Sequence, residues 1–210
     1  MGRTDPEWSR RGVAFFLQQQ IAVHARRNGI RYLKLWILSN NRPSLLAARK
    51  GGFRPVCEAM HVSGSTQVKR SAEHPRLLGS TSSKSLKSLL ASAYLSKMNG
   101  YFAYKWHFVK GTEKLLKRLA ERGELYSDGK TSFILTKPEI AFGHRYSSFV
   151  LLDGSAVSNL RQVKRIAKGY GPVILGSYLP YDRHLLSAAR RTGFRRDSWG
   201  KHCIVFEKKI

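Results

Sequence analysis

Acidic residues are few in this chain, and cysteines fewer still. Thirteen Asp and Glu stand against 38 Lys and Arg in 210 residues, a formal net charge of +25. Such a field draws polyanions and excludes an acidic, cation-collecting surface. The two cysteines, Cys57 and Cys203, both lie in strand-like contexts without metal-ligand spacing, which excludes a zinc site and predicts buried free thiols. No run approaches the roughly 18 to 20 apolar residues of a membrane span, and Met-Gly-Arg-Thr-Asp-Pro lacks the apolar segment of a signal peptide. The expected location is therefore the cytoplasm, with no membrane partner and no metal. Hydrophobic residues still make up 42%, enough for one domain or two small ones with a real core. The basic residues are scattered along the whole chain without an RNA-binding signature, so contact with nucleic acid is expected to be non-specific.

What the sequence does have is a basic, glycine-bearing turn running into a helix, Ser9-Arg10-Arg11-Gly12-Val13-Ala14. Val13, Phe16, Leu17, Ile21 and Ala25 recur at helical spacing after it, so these residues are expected on the inward face, with Gln18, Gln19, Arg26 and Arg27 opposite. Peptide N–H groups in a first helical turn lack partners and sit in positive potential, which makes Arg10 to Ala14 a candidate anion cradle. Asn28-Gly29 stops that helix, Tyr32 to Leu38 has the composition of a buried strand, and Asn41-Arg42-Pro43 opens a second helix. Gly51-Gly52 ends it, and Phe53-Arg54-Pro55-Val56 begins another strand.

This order resembles the acetyl-CoA-binding half of the GCN5-related N-acetyltransferases, which carry a Gln/Arg-x-x-Gly-x-Gly/Ala turn, then Asn-x-x-Ala and a Gly-Phe. The match covers residues 5 to 56, with Gly12 and Ala14 on the turn positions, Asn41 on the asparagine and Gly52-Phe53 on the closing pair. The resemblance implies acetyl-CoA as co-substrate, held by Arg10, Arg11, Gly12, Val13, Ala14, Leu35, Ile37 and Asn41. It implies transfer of the acetyl group to an amine, on a small molecule, a protein N-terminus or a lysine. The departures are Ser9 for Gln or Arg, Ser44 for Ala, and Ala48 where many members have a tyrosine acid, so that acid is not carried over. Only eight residues precede Ser9, where the family has several strands. Two arrangements fit: an N-terminally shortened copy, or a downstream segment that rebuilds the missing wall.

An offset of 141 lays Asn41–Pro55 on Asp182–Arg196 with eight of fifteen positions identical, among them Ala48/Ala189, Gly52/Gly193 and Phe53/Phe194. A helix at 156–168 and a strand at 172–179 repeat the preceding elements. In both copies Gly ends a helix and Phe packs beneath it, a structural role. The second copy has Leu152-Asp153-Gly154-Ser155 in place of the basic turn. It is expected to be degenerate, with the Asp153 carboxylate either opposing a pyrophosphate or capping its helix.

The fold class expected is therefore α/β, an acetyltransferase-like mixed sheet flanked by helices and built from two halves. Residues 1–64 form the cofactor-binding half, 65–84 a linker, and 85–210 the degenerate second domain, with 85–150 completing the sheets. Ser63 to Ser83 is expected as loop. Leu86, Leu89, Leu90, Ala93 and Tyr94 predict one helix, Thr112 to Glu121 another, and Phe133–Leu135 and Ser147–Leu152 strands. The aromatic run Tyr101–Phe108 fits either core or a pocket wall. His107 and His144 are candidate general bases because imidazole titrates near neutrality, with Glu58 and Tyr104 as further candidates; no motif supports any of the four. Two other functions fit: a coenzyme A-binding pseudoenzyme, and a winged-helix nucleic-acid binder in which Thr112–Thr136 supplies recognition helix and wing.

Overall fold

The computed structural model describes residues 7, 11–66, 83–141, 143–196 and 202–210. In chain order the first elements are α1 (Val13–Arg27), β1 (Tyr32–Leu38), α2 (Arg42–Lys50) and β2 (Arg54–Ser65). Next come α3 (Ser83–Leu90), α4 (Ala93–Lys97), β3 (Tyr101–Tyr104), β4 (His107–Lys110), α5 (Glu113–Glu121), β5 (Leu125–Ser127), β6 (Ser132–Leu135) and β7 (Glu139–Ala141). The last are β8 (His144–Asp153), α6 (Ala156–Lys168), β9 (Ile174–Pro180), α7 (Arg183–Arg191), β10 (Arg195–Arg196) and β11 (Cys203–Lys209). The chain divides into two compact units, Met1–Val56 with Cys203–Ile210, and Cys57–His202.

In the first unit β1 pairs antiparallel with the chain's last strand, from Tyr32 opposite Lys209 to Leu38 opposite Cys203. Alternate residues of a strand share a face, so Leu33, Leu35 and Ile37 pack with Ile204 and Leu45 around Ala48, Phe53 and Phe206. Cys203 is buried, as its composition predicts. β1 is only half-buried, where its apolar run predicts full burial, because β11 is its one strand neighbour among the described residues. α1 differs more. It buries Ala22 and Ala25, the latter as expected, and leaves Phe16, Leu17 and Ile21 exposed, so the large apolar residues expected inside face outward.

The second unit holds a sheet in the order β2, β9, β8, β6, β5, with β7 on β8 and β10 on β2. Its strands are antiparallel except β8 and β9, which run parallel from Tyr146 opposite Ile174 to Ser148 opposite Gly176. Phe149 and Leu151 of β8 join Phe133, Leu135, Leu160, Val163 and Phe194 on one face. Val150 and Leu152 join Ile134, Leu95, Leu116 and Leu119 on the other. Cover on both faces explains why Phe149–Leu152 reads as a continuous apolar run.

Several boundaries move. Ser63–Ser65 belong to β2, extended by pairing with Gly176, Leu175 and Ile174 instead of looping away. The helix expected around 86–94 is two helices, because Ser92 leaves the helical conformation and its hydroxyl caps α4 at Leu95. The aromatic run is a hairpin whose Tyr101, Phe102 and Phe108 are core. The expected wing is not one: all four residues of β6 are buried, and the strand pairs with β8 inside the sheet. Residues 67–82, most of the expected linker, lie outside the described residues.

Candidate functional site

In the first unit Gly12 is the N-cap of α1 in the left-handed conformation, φ 79°, and its carbonyl accepts from the amide of Phe16 at 2.9 Å. A glycine supplies no capping oxygen, and the first turn of α1 contains no acid. The amides of Val13 and Ala14 therefore sit at the positive end of the helix dipole with no acid of the same turn beside them. Among the described residues, a Cβ on Gly12 would meet nothing within 4 Å. Arg11 is exposed beside it, and Arg10 lies outside the described residues. These features fit an anionic group.

Leu35 and Ile37 sit opposite Phe206 and Ile204, and their side chains join the core beneath α2. Asn41 caps α2, its carboxamide oxygen accepting from the Ser44 amide at 3.3 Å. Ala48 is fully buried in the same cluster.

The two Gly-Phe pairs have matching geometry. Gly52 and Gly193 have φ of 80° and 74°, and the amides of Phe53 and Phe194 donate to Ala48 and Ala189 at 3.0 and 2.9 Å. The turns that precede α1 and α6 do not match. Ser155 is the N-cap of α6, while Asp153 accepts from the Gly154 amide at 2.8 Å and so does not cap the helix. Gly154 is forced by space: a Cβ there would lie 2.2 Å from the Lys130 carbonyl. Tyr94 Oη donates to the Gly154 carbonyl at 2.7 Å, and burial beside the Asp153 charge holds that phenol above its ordinary pKa.

A cavity of about 370 Å³ lies at the N-termini of α6 and α7, lined by Tyr94, Lys97, Ser155, Asp182, His184 and Arg191 among others. Asp182 caps α7, accepting from the amides of His184 and Leu185 at 2.8 and 3.1 Å, and pairs with Lys97. That ammonium, followed by the two amides, holds the carboxyl below its usual range. Where β8 and β9 diverge, the space is closed. Ser177 Oγ donates to the Phe149 carbonyl at 2.6 Å, and Tyr94, Met98, Tyr101 and Phe102 leave only about 10 Å³ between Val150–Leu151 and Tyr178–Pro180.

The four candidate acid–base residues have separate surroundings. Glu58 faces His202 at 3.4 Å, and Tyr104 donates to Glu124 at 2.9 Å, with burial the main reason its phenol stays protonated above the ordinary range. His107 and His144 are exposed at the starts of β4 and β8. Sequence alone misses a cluster at the base of β8. His61 Nε2 and Tyr146 Oη are 3.2 Å apart, with Trp106 stacked on Tyr146 at 4.6 Å and Tyr178 against His61 at 4.8 Å. Gly176 makes the contact possible, since a Cβ there would fall 1.7 Å from Tyr146 Oη. His61 and Tyr146 are 85 residues apart, so no local pattern announces them.

A mostly antiparallel sheet with one parallel pair, flanked by helices, is the fold of the N-acetyltransferases. Among the solved structures that share it are two from other organisms. One, from Thermoplasma acidophilum and assigned as an acetyltransferase, is 16% identical with a TM-score of 0.57 over 99% of this chain and 67% of its own. The other, a GCN5-related N-acetyltransferase from Sphaerobacter thermophilus, is 13% identical with a TM-score of 0.55 over 97% of this chain and 70% of its own. No protein-family profile matches the sequence, and no curated protein matches it.

Proposed function

We propose that the protein is an N-acetyltransferase that takes the acetyl group of acetyl-CoA to an amine. The observation that carries this reading is Gly12: a left-handed N-cap with no other described residue within 4 Å of its Cβ position, at the start of a helix without acids, on a chain with an acetyltransferase fold. Bound acetyl-CoA supplies an activated thioester. Arg10, Arg11 and the amides of Gly12, Val13 and Ala14 hold its pyrophosphate, the main chain of β1 at Leu35 and Ile37 aligns its arm, and Asn41 borders it. A main-chain N–H of Leu33–Leu38 polarises the carbonyl, and a deprotonated amine is held in line for attack, with proximity supplying most of the acceleration.

The halves at 1–64 and 85–210 descend, on this reading, from one ancestral unit, and the second no longer binds the cofactor. The side chains filling the β8–β9 divergence and the Asp182 carboxylate at α7 support that loss. A coenzyme A-binding pseudoenzyme is the second reading. It is favoured by Ala48, whose full burial leaves no place for a phenol acid.

Calorimetry with coenzyme A tests the assignment. The parent chain should bind one molecule, and Gly12→Glu should abolish binding through bulk and negative charge while leaving the fold intact. No binding by the parent, or equal binding by the variant, removes the cofactor site.

A further inference from the structure

Three large apolar side chains project from the outward face of α1: Phe16, Leu17 and Ile21 are 61%, 52% and 55% exposed, beside Gln20 and His24. The offset of 141 places Val157, Ser158 and Gln162 of α6 at the positions of Phe16, Leu17 and Ile21, so two of the three corresponding residues are polar.

Charge indicates what covers them. From Arg11 to Val56 there is no acidic residue, and in 203–210 Glu207 is the one acid, facing Lys34 at 3.9 Å. The last turn of α1 carries His24, Arg26 and Arg27. A second copy of the chain presents the same basic face, and like charges oppose its docking there. The stripe is also a ridge, its three central side chains more than half exposed, and lacks the shape of a groove that receives a protein segment.

We propose that α1 docks on an anionic lipid surface. Phe16, Leu17 and Ile21 enter the boundary between headgroups and acyl chains, and the exposed Arg27 and Arg31 meet the lipid phosphates. The helix lies on the membrane and does not cross it: no helix among the described residues is long and apolar enough to span.

The test is co-sedimentation of the full chain with phosphatidylcholine vesicles, with and without about a third phosphatidylserine. The chain should bind the anionic vesicles and hold on at ~150 mM salt, and Phe16→Ser, Leu17→Ser and Ile21→Ser together should weaken binding roughly tenfold or more. A second measurement does not depend on that variant folding. Leu17→Cys carrying an environment-sensitive fluorophore should shift to the blue on anionic vesicles, because Cys57 and Cys203 are buried and will not take the label. Equal binding by the triple variant reduces the effect to net charge and overturns the proposal, as does a label that stays in water. Sedimentation velocity showing a dimer that the triple variant dissolves assigns the face to a second copy and overturns it too.

Discussion

Val205 lies opposite Trp36 in the ladder of β1 and β11, so the last strand of the chain completes a sheet begun by its first. The second unit makes the reciprocal arrangement, with β2, the strand after α2, paired to β9. The offset of 141 carries Trp36–Val205 onto Ser177 and Gly64, whereas Ser177 actually pairs with Val62. A slip of two residues leaves every side chain on the same face of the strand. The first unit therefore depends on residues at the far end of the chain. Phe206→Ala, which empties a fully buried site against Ala48 and Phe53, should cost about 3–5 kcal/mol. Denaturant unfolding followed by hydrogen exchange in β1 checks it. Unaltered protection of β1 would show that β11 is dispensable.

Asp182 should give a pH-dependent contribution. Its pKa is lowered chiefly by the Lys97 ammonium, so its stabilisation is present above the unfolded carboxylate value of about 4 and is lost as pH falls through the lower folded value. The pair is partly solvated, and its worth is about 1 kcal/mol or less after screening. Asp182→Asn keeps a capping oxygen but loses the charge. Its thermal midpoint should lie below the parent's at neutral pH and converge with it in acid. A constant difference across that range contradicts the assignment.

Elements held together by local chemistry were legible in the sequence. The bounds of α1, α2 and α7 follow from Gly12, Asn41 and Asp182 at their starts and from glycine or basic residues at their ends. The Gly-Phe closures were legible for the same reason. What pairs with what was not. β1 finds its partner at the other end of the chain, and neither the Lys97–Asp182 pair nor His61–Tyr146 has a neighbour in sequence to suggest it. The face of α1 was misjudged because periodicity reports that a helix has an apolar side and not which way it points. Ala22 and Ala25 pack inward because their small side chains let the helix lie close.

Gly154 and Gly12 should respond differently to alanine, although both have positive φ. At Gly154 the new Cβ meets main chain at 2.2 Å, so Gly154→Ala must displace the turn against Lys130 and should destabilise by several kcal/mol. At Gly12 no other described residue lies within 4 Å, and Gly12→Ala should cost only the strain of a left-handed alanine, about 1 kcal/mol. Urea midpoints of the two variants separate the cases. Equal losses would mean that the Gly154 turn relaxes freely.

Nucleic acid binding by this chain should be weak and unselective. Its Lys and Arg outnumber Asp and Glu by 38 to 13, so DNA or RNA will associate at low salt through released counterions. Selectivity needs a reading element, and the hairpin that resembles a wing cannot provide one. β6 is buried on both faces, and Asp128 spends its carboxylate on the Lys130 and Thr131 amides at 2.9 and 2.8 Å. Lys114, Lys117 and Arg118 are exposed on α5 without a wing beside them. Titrations with double-stranded oligonucleotides of different sequence should therefore give similar affinities that vanish by ~150 mM salt, and replacing those three residues should lower low-salt affinity uniformly. A salt-resistant complex that prefers one sequence and is lost with Lys114, Lys117 and Arg118 would displace acetyl transfer as the primary function.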